Sequence, residues 1–341
     1  MPPATSRQRV SILNLLAGLA LLASGLAWPA LGQQPVNPSS VPPPPQQQQK
    51  PAEKSGDQGY RIRRDVDLVV LHTTVLDDKG DFVPDLKPDN FRVYEDKVEQ
   101  KLSLFKREDV PVTMGLVIDN SGSMRSKRAR VNAAALTFVK TSNPQDEVFV
   151  VNFNDEYYLD LDKDFTNDQK ELREALERVD SRGSTAFYDA LVGSLDHLKK
   201  GSRDKKVLLV ITDGVDNASR KTFEYAVQAA QQSDAVIYAI GLFAEDDKKE
   251  ARHATKVLKT LTEATGGLAY FPKEVSEVEA LCTKMAHDIR NQYVLAYYPT
   301  NTRRDGSFRS VQVQVTPPRG RSRMFVRTRT GYYAQRESGA Q

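Results

Sequence analysis

The sequence predicts an α/β fold, a doubly wound and mostly parallel sheet that is inserted in a small β-sandwich. From Val112 onward, short apolar runs alternate with segments of helical periodicity, which is the pattern of a parallel sheet covered on both faces. Before Val112 and after Arg290 the chain shows strand-like stretches instead. Because a few isolated strands are marginal in water, we expect the two flanking groups to pair with each other.

The first 59 residues read as a leader and a tether. Arg7 and Arg9 precede a mostly apolar run, and small residues follow at 30 and 32, so residues 1–32 are predicted to be a signal peptide cleaved after Gly32. A leader retained as an anchor is the alternative. Residues 33–59 are rich in proline and glutamine and are predicted to be a disordered tether. The leader alone indicates export, to the periplasm, the cell surface or the medium.

Length and composition limit the function classes. The chain has 341 residues, enough for two folded units, with 39% hydrophobic and 27% charged residues. Its formal net charge of +3 is too small to indicate a nucleic-acid partner. The single cysteine, Cys282, excludes an internal disulfide and falls on the apolar face of a predicted helix, which indicates a core residue.

Residues 60–110 are predicted to form the N-terminal half of the β module. Strands are expected at 68–76, 91–94 and 98–105, separated by turns at Asp78-Lys79-Gly80 and Glu95-Asp96-Lys97. Residues 291–334 supply the other half, with strands at 292–298, 308–316 and 323–329, and residues 335–341 are expected to be a disordered tail.

Residues 111–290 are predicted to form the α/β domain. The expected strands are 113–118, 147–152, 157–161, 206–212, 235–242 and 268–271, and the expected helices are 126–140, 168–178, 187–199, 222–232, 248–265 and 276–290. The stretch 157–161 follows its predecessor too closely for a helical crossover, so it should be an antiparallel edge strand.

Oxygen-bearing side chains follow two of the predicted buried strands. The first strand runs into Asp119, Ser121 and Ser123 in a tight turn with Gly122, and a second ends directly before Asp213. Thr185 precedes another predicted helix. Ligands of open parallel sheets sit at the carboxyl ends of the strands, where the strand order reverses, so these residues are natural partners. Their oxygens suit a hard cation, although Asp119 and Ser121 alone would be explained as a helix cap.

Together these motifs resemble the metal-ion-dependent adhesion site of a von Willebrand factor type A domain. The resemblance rests on the sequence DNSGS from Asp119, on Thr185 in GSTAFYDA and on Asp213 in TDG. The flanking pieces, NQYVLAYYP and GYYA among them, look like a secreted bacterial branch often labelled acidobacterial-type, and the likeness spans residues 66–334. It implies that Ser121, Ser123 and Thr185 contact a metal through their hydroxyls, while Asp119 and Asp213 bind directly or through water.

A site of three neutral hydroxyls and two carboxylates leaves part of a divalent charge uncompensated. We therefore expect an Asp or Glu of a protein partner to bind there, and Mg²⁺ suits small oxygen ligands best, with Mn²⁺ or Ca²⁺ as alternatives. The sequence thus predicts an exported, non-enzymatic adhesion module.

Two other functions are compatible with the sequence. The C-terminal strands carry eight arginines, Arg303, Arg304, Arg309, Arg319, Arg321, Arg323, Arg327 and Arg329, so a scaffold or polyanion-binding protein that works without metal is the main alternative. A phosphohydrolase-like enzyme is a remote one, because the second acidic residue that such a site needs as acid and base is replaced by Ser121. GxSxG, HExxH and P-loop patterns are absent from the sequence.

Overall fold

The computed structural model describes residues 68–107, 109–141, 143–243, 248–321 and 323–336. The predicted signal peptide and tether, and the tail beyond residue 336, therefore lie outside the described residues. In this part of the chain, no helix combines the length and the apolar character needed to span a membrane.

A six-stranded sheet forms the centre of the α/β domain. Its strands are β5 (Val112–Asp119), β6 (Glu147–Phe153), β7 (Tyr157–Leu159), β8 (Lys205–Thr212), β9 (Ala235–Gly241) and β10 (Ala269–Tyr270), in the order β10-β9-β8-β5-β6-β7. All neighbouring pairs are parallel except β6 and β7. The sequence prediction of a mostly parallel sheet with an antiparallel edge strand is confirmed.

Helices cover both faces of this sheet. They are α1 (Arg128–Thr141), α2 (Gln169–Glu177), α3 (Phe187–Leu198), α4 (Phe223–Gln232), α5 (Lys248–Thr265) and α6 (Val278–Arg290). Buried side chains of α1, α2 and α6 pack on one face, and those of α3, α4 and α5 pack on the other. Cys282 on α6 is fully buried in the first of these cores, as its helical spacing predicts, and burial raises the pKa of its thiol to about 12.

The strands that flank the α/β domain form two four-stranded sheets. One contains β1 (Val69–Leu76), β4 (Leu102–Arg107), β11 (Tyr293–Tyr297) and β13 (Phe325–Arg327), in the order β13-β1-β11-β4. The other contains β2 (Phe91–Glu95), β3 (Val98–Gln100), β12 (Phe308–Val315) and β14 (Gly331–Tyr333), in the order β14-β12-β2-β3. Each sheet mixes strands from before and after the α/β domain, so the predicted insertion is confirmed.

A shared apolar core holds the two sheets together. Leu71 of β1 lies opposite Leu295 of β11 in one sheet, and Val93 of β2 lies opposite Val313 of β12 in the other. All four side chains are buried in one cluster. The alternation along β12, with Val311, Val313 and Val315 facing inward between polar residues, is what places this strand on a half-solvated sheet.

The prediction of one strand over residues 98–105 is wrong. The stretch forms two strands, β3 and β4, which belong to different sheets and are separated at Lys101. Gln100, the last residue of β3, is buried, and its side chain accepts a hydrogen bond from the Thr300 backbone N–H (3.0 Å) and donates one to the Thr300 hydroxyl (3.0 Å). The alternation of residue types continues from β3 into β4. A pattern with a period of two therefore does not show that the chain crosses from one sheet to the other at Lys101.

The strand β14 was not predicted. It is three residues long and pairs with β12 through Ser310 opposite Gly331. A Cβ on Gly331 would come within 2.3 Å of Phe308, so the close approach of the two strands requires glycine. A three-residue strand that begins with glycine has too little alternation to be recognised from sequence.

Polar contacts join the sandwich to the α/β domain. Gln292, between α6 and β11, donates hydrogen bonds to the hydroxyls of Thr74 (3.0 Å) and Tyr238 (3.1 Å). The ammonium of Lys205, at the start of β8, donates to the carbonyl of Ile289 in the last turn of α6. The end of α6 is therefore fixed to the sheet and to the sandwich by side chains of three strands.

We expect residues 67–109 to remain unfolded when they are produced alone. The first sheet would lose β11, which separates β1 from β4, and the second would lose β12, so the β2–β3 hairpin would be the one strand pair left. Circular dichroism and amide dispersion in an ¹⁵N-correlation spectrum would test this. A dispersed spectrum from this fragment would contradict the interleaved sandwich, and co-expression with residues 291–336 is the matched control.

Candidate metal centre

The predicted site lies at the carboxyl edge of the central sheet, where β5 and β8 end side by side. β5 ends at Asp119, and β8 ends at Thr212, directly before Asp213. The chain leaves β5 toward β6 on one side and leaves β8 toward β9 on the other, so the strand order reverses between them. Doubly wound sheets bind their ligands in this crevice.

Asp119 is fully buried at the bottom of the crevice. Its Oδ2 accepts a hydrogen bond from the Thr212 hydroxyl (2.6 Å), and its Oδ1 accepts one from the Ser121 backbone N–H (2.8 Å). Burial raises the pKa of Asp119 to about 6 because the charged form loses its hydration, while the hydrogen bonds from Thr212 and Ser121 oppose this. A buried carboxylate in this position is stabilised by a nearby cation.

Ser121, Ser123 and Asp213 form a continuous row of oxygen atoms. The two serine Oγ atoms are 3.1 Å apart, and the Ser123 hydroxyl donates to Asp213 Oδ1 at 2.7 Å. Adjacent oxygen ligands of an octahedral Mg²⁺, each about 2.1 Å from the ion, lie about 3 Å apart. The two distances are those of hydrogen bonds and also lie near this spacing, and all of these donors are hard oxygens, so the chemistry of the residues present suits such an ion.

Thr185 is brought to the same crevice by the loop between α2 and α3. It is buried, and a Cβ placed on Gly214 would lie 3.5 Å from its Oγ1, so its hydroxyl lies beside the residue that follows Asp213. The Gly122 N–H donates to the Gly183 carbonyl (3.2 Å). This hydrogen bond holds the loop with Ser121 and Ser123, the serine loop, against the loop that carries Gly183 and Thr185, the threonine loop. The structure therefore gathers the predicted residues around one crevice, and their binding of a metal stays a prediction.

The threonine loop depends on one glycine. Gly183 has a φ of +73°, and a Cβ there would lie 2.0 Å from a carboxylate oxygen of Asp155. That carboxylate accepts a hydrogen bond from the Ser184 N–H at 2.8 Å. Glycine thus allows both the left-handed turn and the close approach of Asp155, and together they fix the residue before Thr185.

A buried polar chain lies behind the serine loop. The Asn120 amide donates to Asn152 Oδ1 (2.5 Å), and the Asn152 amide donates to Asp160 Oδ2 (2.6 Å) and to the Ala175 carbonyl (2.9 Å). Burial raises the pKa of Asp160 above its ordinary range, and Asn152 opposes the shift. These hydrogen bonds link the serine loop to β6, to the segment after β7 and to α2, so they orient the loop from its buried side.

Asn217 is a residue at the site that sequence reasoning missed. Its Oδ1 accepts a hydrogen bond from the Thr185 N–H (2.8 Å), and its own N–H donates to the Thr185 carbonyl (3.0 Å). The sequence shows it as part of an Asn-Ala-Ser loop shortly after Asp213, and its place in that loop was the one available signal. Asn217 therefore connects the threonine loop to the loop that follows β8 and carries Asp213.

Replacement of Asn217 by alanine is expected to weaken Mg²⁺ binding by about ten-fold, because Thr185 loses the restraint that holds it beside Gly214. Isothermal titration calorimetry with Mg²⁺ would measure this. Asn167→Ala, at an exposed position, is the control and should bind as the wild type does. Equal Mg²⁺ affinity in Asn217→Ala and the wild type would show that the hydrogen bond from the Thr185 N–H to the Asn217 side chain does not position Thr185.

The basic residues after the serine loop make contacts within the chain. Arg125 donates to the Ser181 carbonyl (3.1 Å), Arg128 donates to the Leu176 carbonyl (2.9 Å), and the Lys127 ammonium lies 2.5 Å from Asp213 Oδ2. Arg125 and Arg128 therefore hold the segment that leads into the threonine loop.

Several C-terminal arginines pair with acids from distant parts of the chain. Arg309 pairs with Glu95 in the interior (3.4 Å), Arg321 binds both oxygens of Asp85 (2.6 and 2.7 Å), and Arg329 pairs with Asp234 (3.2 Å). The basic surface expected from the C-terminal sequence is therefore partly neutralised by residues that the fold brings beside it.

Comparison with known proteins gives a family assignment for the region of the crevice. Residues 114–215 match the family model of the von Willebrand factor type A domain, a range that contains Asp119, Thr185 and Asp213. This part of the chain is similar to von Willebrand factor type A domains. An uncharacterized protein of Synechocystis is 26% identical to it over 107 residues, which make up 31% of this chain and 26% of that protein, so the match spans about a quarter of the relative's length.

Solved structures that this chain is similar to include the von Willebrand domain of a pilus tip protein, a von Willebrand type A protein and a minor pilin. The von Willebrand domain of the pilus tip protein Mfa5 from Porphyromonas gingivalis is 15% identical, with a TM-score of 0.45, and the match covers 53% of this chain and 95% of that one. A von Willebrand type A protein from Catenulispora acidiphila is 12% identical, with a TM-score of 0.45 and coverages of 80% and 74%. The PilB minor pilin from Streptococcus sanguinis is 13% identical, with a TM-score of 0.44 and coverages of 54% and 62%.

Proposed function

We propose that this protein is an exported binding module that recruits an acidic side chain of a protein partner to a divalent metal held in the crevice. The observation that carries the proposal is the row of oxygens from Ser121 through Ser123 to Asp213, whose spacings of 3.1 and 2.7 Å suit an octahedral ion. Asp119 and Thr185 complete the ligand set. Mg²⁺ is the proposed ion, with Mn²⁺ and Ca²⁺ as substitutes that the same donors can hold.

The burial of the site residues supports a role in binding a partner. Asp119, Ser121 and Thr185 are buried, whereas Gly122 and Ser123 are exposed, so the crevice opens to solvent beside Ser123. A divalent ion bound in the crevice would supply a positive charge that a carboxylate of the partner can reach from this side. The serine and threonine hydroxyls hold their positions through the loops that carry them.

The contacts of Asp119 argue against a phosphohydrolase. Both of its carboxylate oxygens accept hydrogen bonds from Thr212 and Ser121, and the position two residues further along carries a hydroxyl where such an enzyme needs a carboxyl group as acid and base. We therefore propose a non-enzymatic module. Phosphate release from a model ester that disappears in Asp119→Ala would contradict this.

An affinity experiment separates metal-dependent binding from a scaffold that uses the basic strands. The full chain is passed over a resin that carries a glutamate-containing peptide, with Mg²⁺ present. We expect retention that is released by a chelator and is lost in Asp213→Ala. Retention that survives both chelation and Asp213→Ala would contradict the proposal and favour the C-terminal arginines, although Arg309, Arg321 and Arg329 already pair with acids of the chain.

A further inference from the structure

Lys127 places a positive charge inside the crevice. It comes from the turn before α1, and its ammonium lies 2.5 Å from Asp213 Oδ2 and 3.1 Å from the carbonyl of Leu242, the residue directly after β9. The lysine side chain is 22% exposed and the Asp213 side chain is 1% exposed. The pair is thus shielded from solvent, where an ionic contact is stronger than at the surface.

The two oxygens of Asp213 have different partners. Oδ1 accepts the hydroxyl of Ser123, on the side of the proposed ligand row, and Oδ2 accepts the ammonium of Lys127. The other carboxylate, Asp119, is held by the neutral donors of Thr212 and Ser121. The acids and the lysine together leave the crevice with a net charge of minus one when all three are ionised.

We infer that Lys127 is a positioning residue that sets the charge of the metal site, an inference that rests on the proposed function. With Lys127 present, a divalent ion brings the crevice to a net charge of plus one, which one carboxylate of a partner neutralises. Without Lys127 the loaded crevice would be neutral and would attract an anion less strongly. Lys127 also holds the buried carboxylate of Asp213 in place through their ion pair before a metal binds.

This role predicts effects of opposite sign on the two binding steps. Removing the ammonium increases the negative charge that a metal meets, so metal binding should tighten, while anion binding to the loaded site should weaken. A lysine that merely holds the fold together would lower stability and would weaken both steps or neither. The opposed signs therefore distinguish control of site charge from a structural ion pair.

The test uses the full chain with Mn²⁺ and acetate as probes. Free Mn²⁺ is quantified by electron paramagnetic resonance to give its Kd, and acetate binding is measured from the broadening of the ¹³C-acetate signal by bound Mn²⁺. In Lys127→Met we expect Mn²⁺ to bind about ten-fold more tightly and acetate about ten-fold more weakly, the effect of one unit charge at short range. Lys127→Arg keeps the charge and should stay within about three-fold of the wild type in both measurements.

The control is Lys140→Met, which removes a positive charge from an exposed position in the last turn of α1 and should change neither value. If the wild type binds Mn²⁺ but Lys127→Met shows unchanged or weaker Mn²⁺ affinity, the inference is wrong and the proposed function stands. A wild type that does not bind Mn²⁺ overturns the proposed function itself. Should Lys127→Met fail to fold without metal, Lys127→Gln is measured in its place.

Discussion

Replacement of Asp119 by asparagine is expected to lower the affinity for Mg²⁺ by about 100-fold or more. Asparagine keeps the size of the side chain and can still accept from Thr212 or Ser121, so the loops should stay in place. What is lost is one of the two carboxylate charges of the crevice. Calorimetry measures the affinity directly, and thermal unfolding gives a second readout because a ligand that binds only the folded state raises the Tm.

Asp162→Asn is the matched control, since it makes the same chemical change at a side chain that is 94% exposed. We expect that variant to bind Mg²⁺ as the wild type does and to show the same rise in Tm on addition of Mg²⁺. Asp119→Asn should show almost no rise. Undiminished Mg²⁺ affinity in Asp119→Asn would remove Asp119 from the ligand set and would count against the assignment of the crevice as a metal site.

The largest effect on stability is expected at Tyr293, the first residue of β11. Its ring is fully buried and packs against Phe82, Phe91 and Phe105, with centroid distances of 5.6, 5.1 and 5.7 Å. Its hydroxyl donates to the Val83 carbonyl (2.7 Å) and accepts from the Leu86 N–H (3.0 Å). Tyr293 therefore joins the aromatic core of the sandwich to the segment between β1 and β2.

Tyr293→Ala should lower the free energy of unfolding by about 4 kcal/mol, because it leaves a cavity in the core and removes the hydrogen-bond partner of two buried backbone groups. Tyr293→Phe retains the ring and should lower it by about 1–2 kcal/mol. Urea unfolding followed by circular dichroism gives both values. Tyr298→Ala is the control, because that ring is 54% exposed and its removal should change the free energy by less than about 0.5 kcal/mol. A loss at Tyr293 no larger than at Tyr298 would contradict the role of Tyr293 in the core of the sandwich.

Much of the α/β domain could be predicted from sequence because its signals are local. Strands buried on both faces, such as β5 and β8, read as continuous apolar runs, and α5 spans the predicted residues 248–265. The positions of Asp119 and Asp213 at strand ends followed from those runs. The rule that ligands bind where the strand order reverses then placed them together, and the structure shows β5 beside β8.

The sequence by itself determined most of the helices and strands and the interleaved halves of the sandwich, and it predicted that Asp119, Thr185 and Asp213 meet at one edge of the sheet, because each of these depends on a hydrophobic period or on a short motif. The tertiary structure decided which distant groups meet. In the structure, the chain crosses from one sheet to the other at Lys101, Arg321 pairs with Asp85, and Lys127 pairs with Asp213. These pairings connect residues far apart in the chain, and no local period or propensity carries information about them, since long-range contacts are fixed by how whole elements pack.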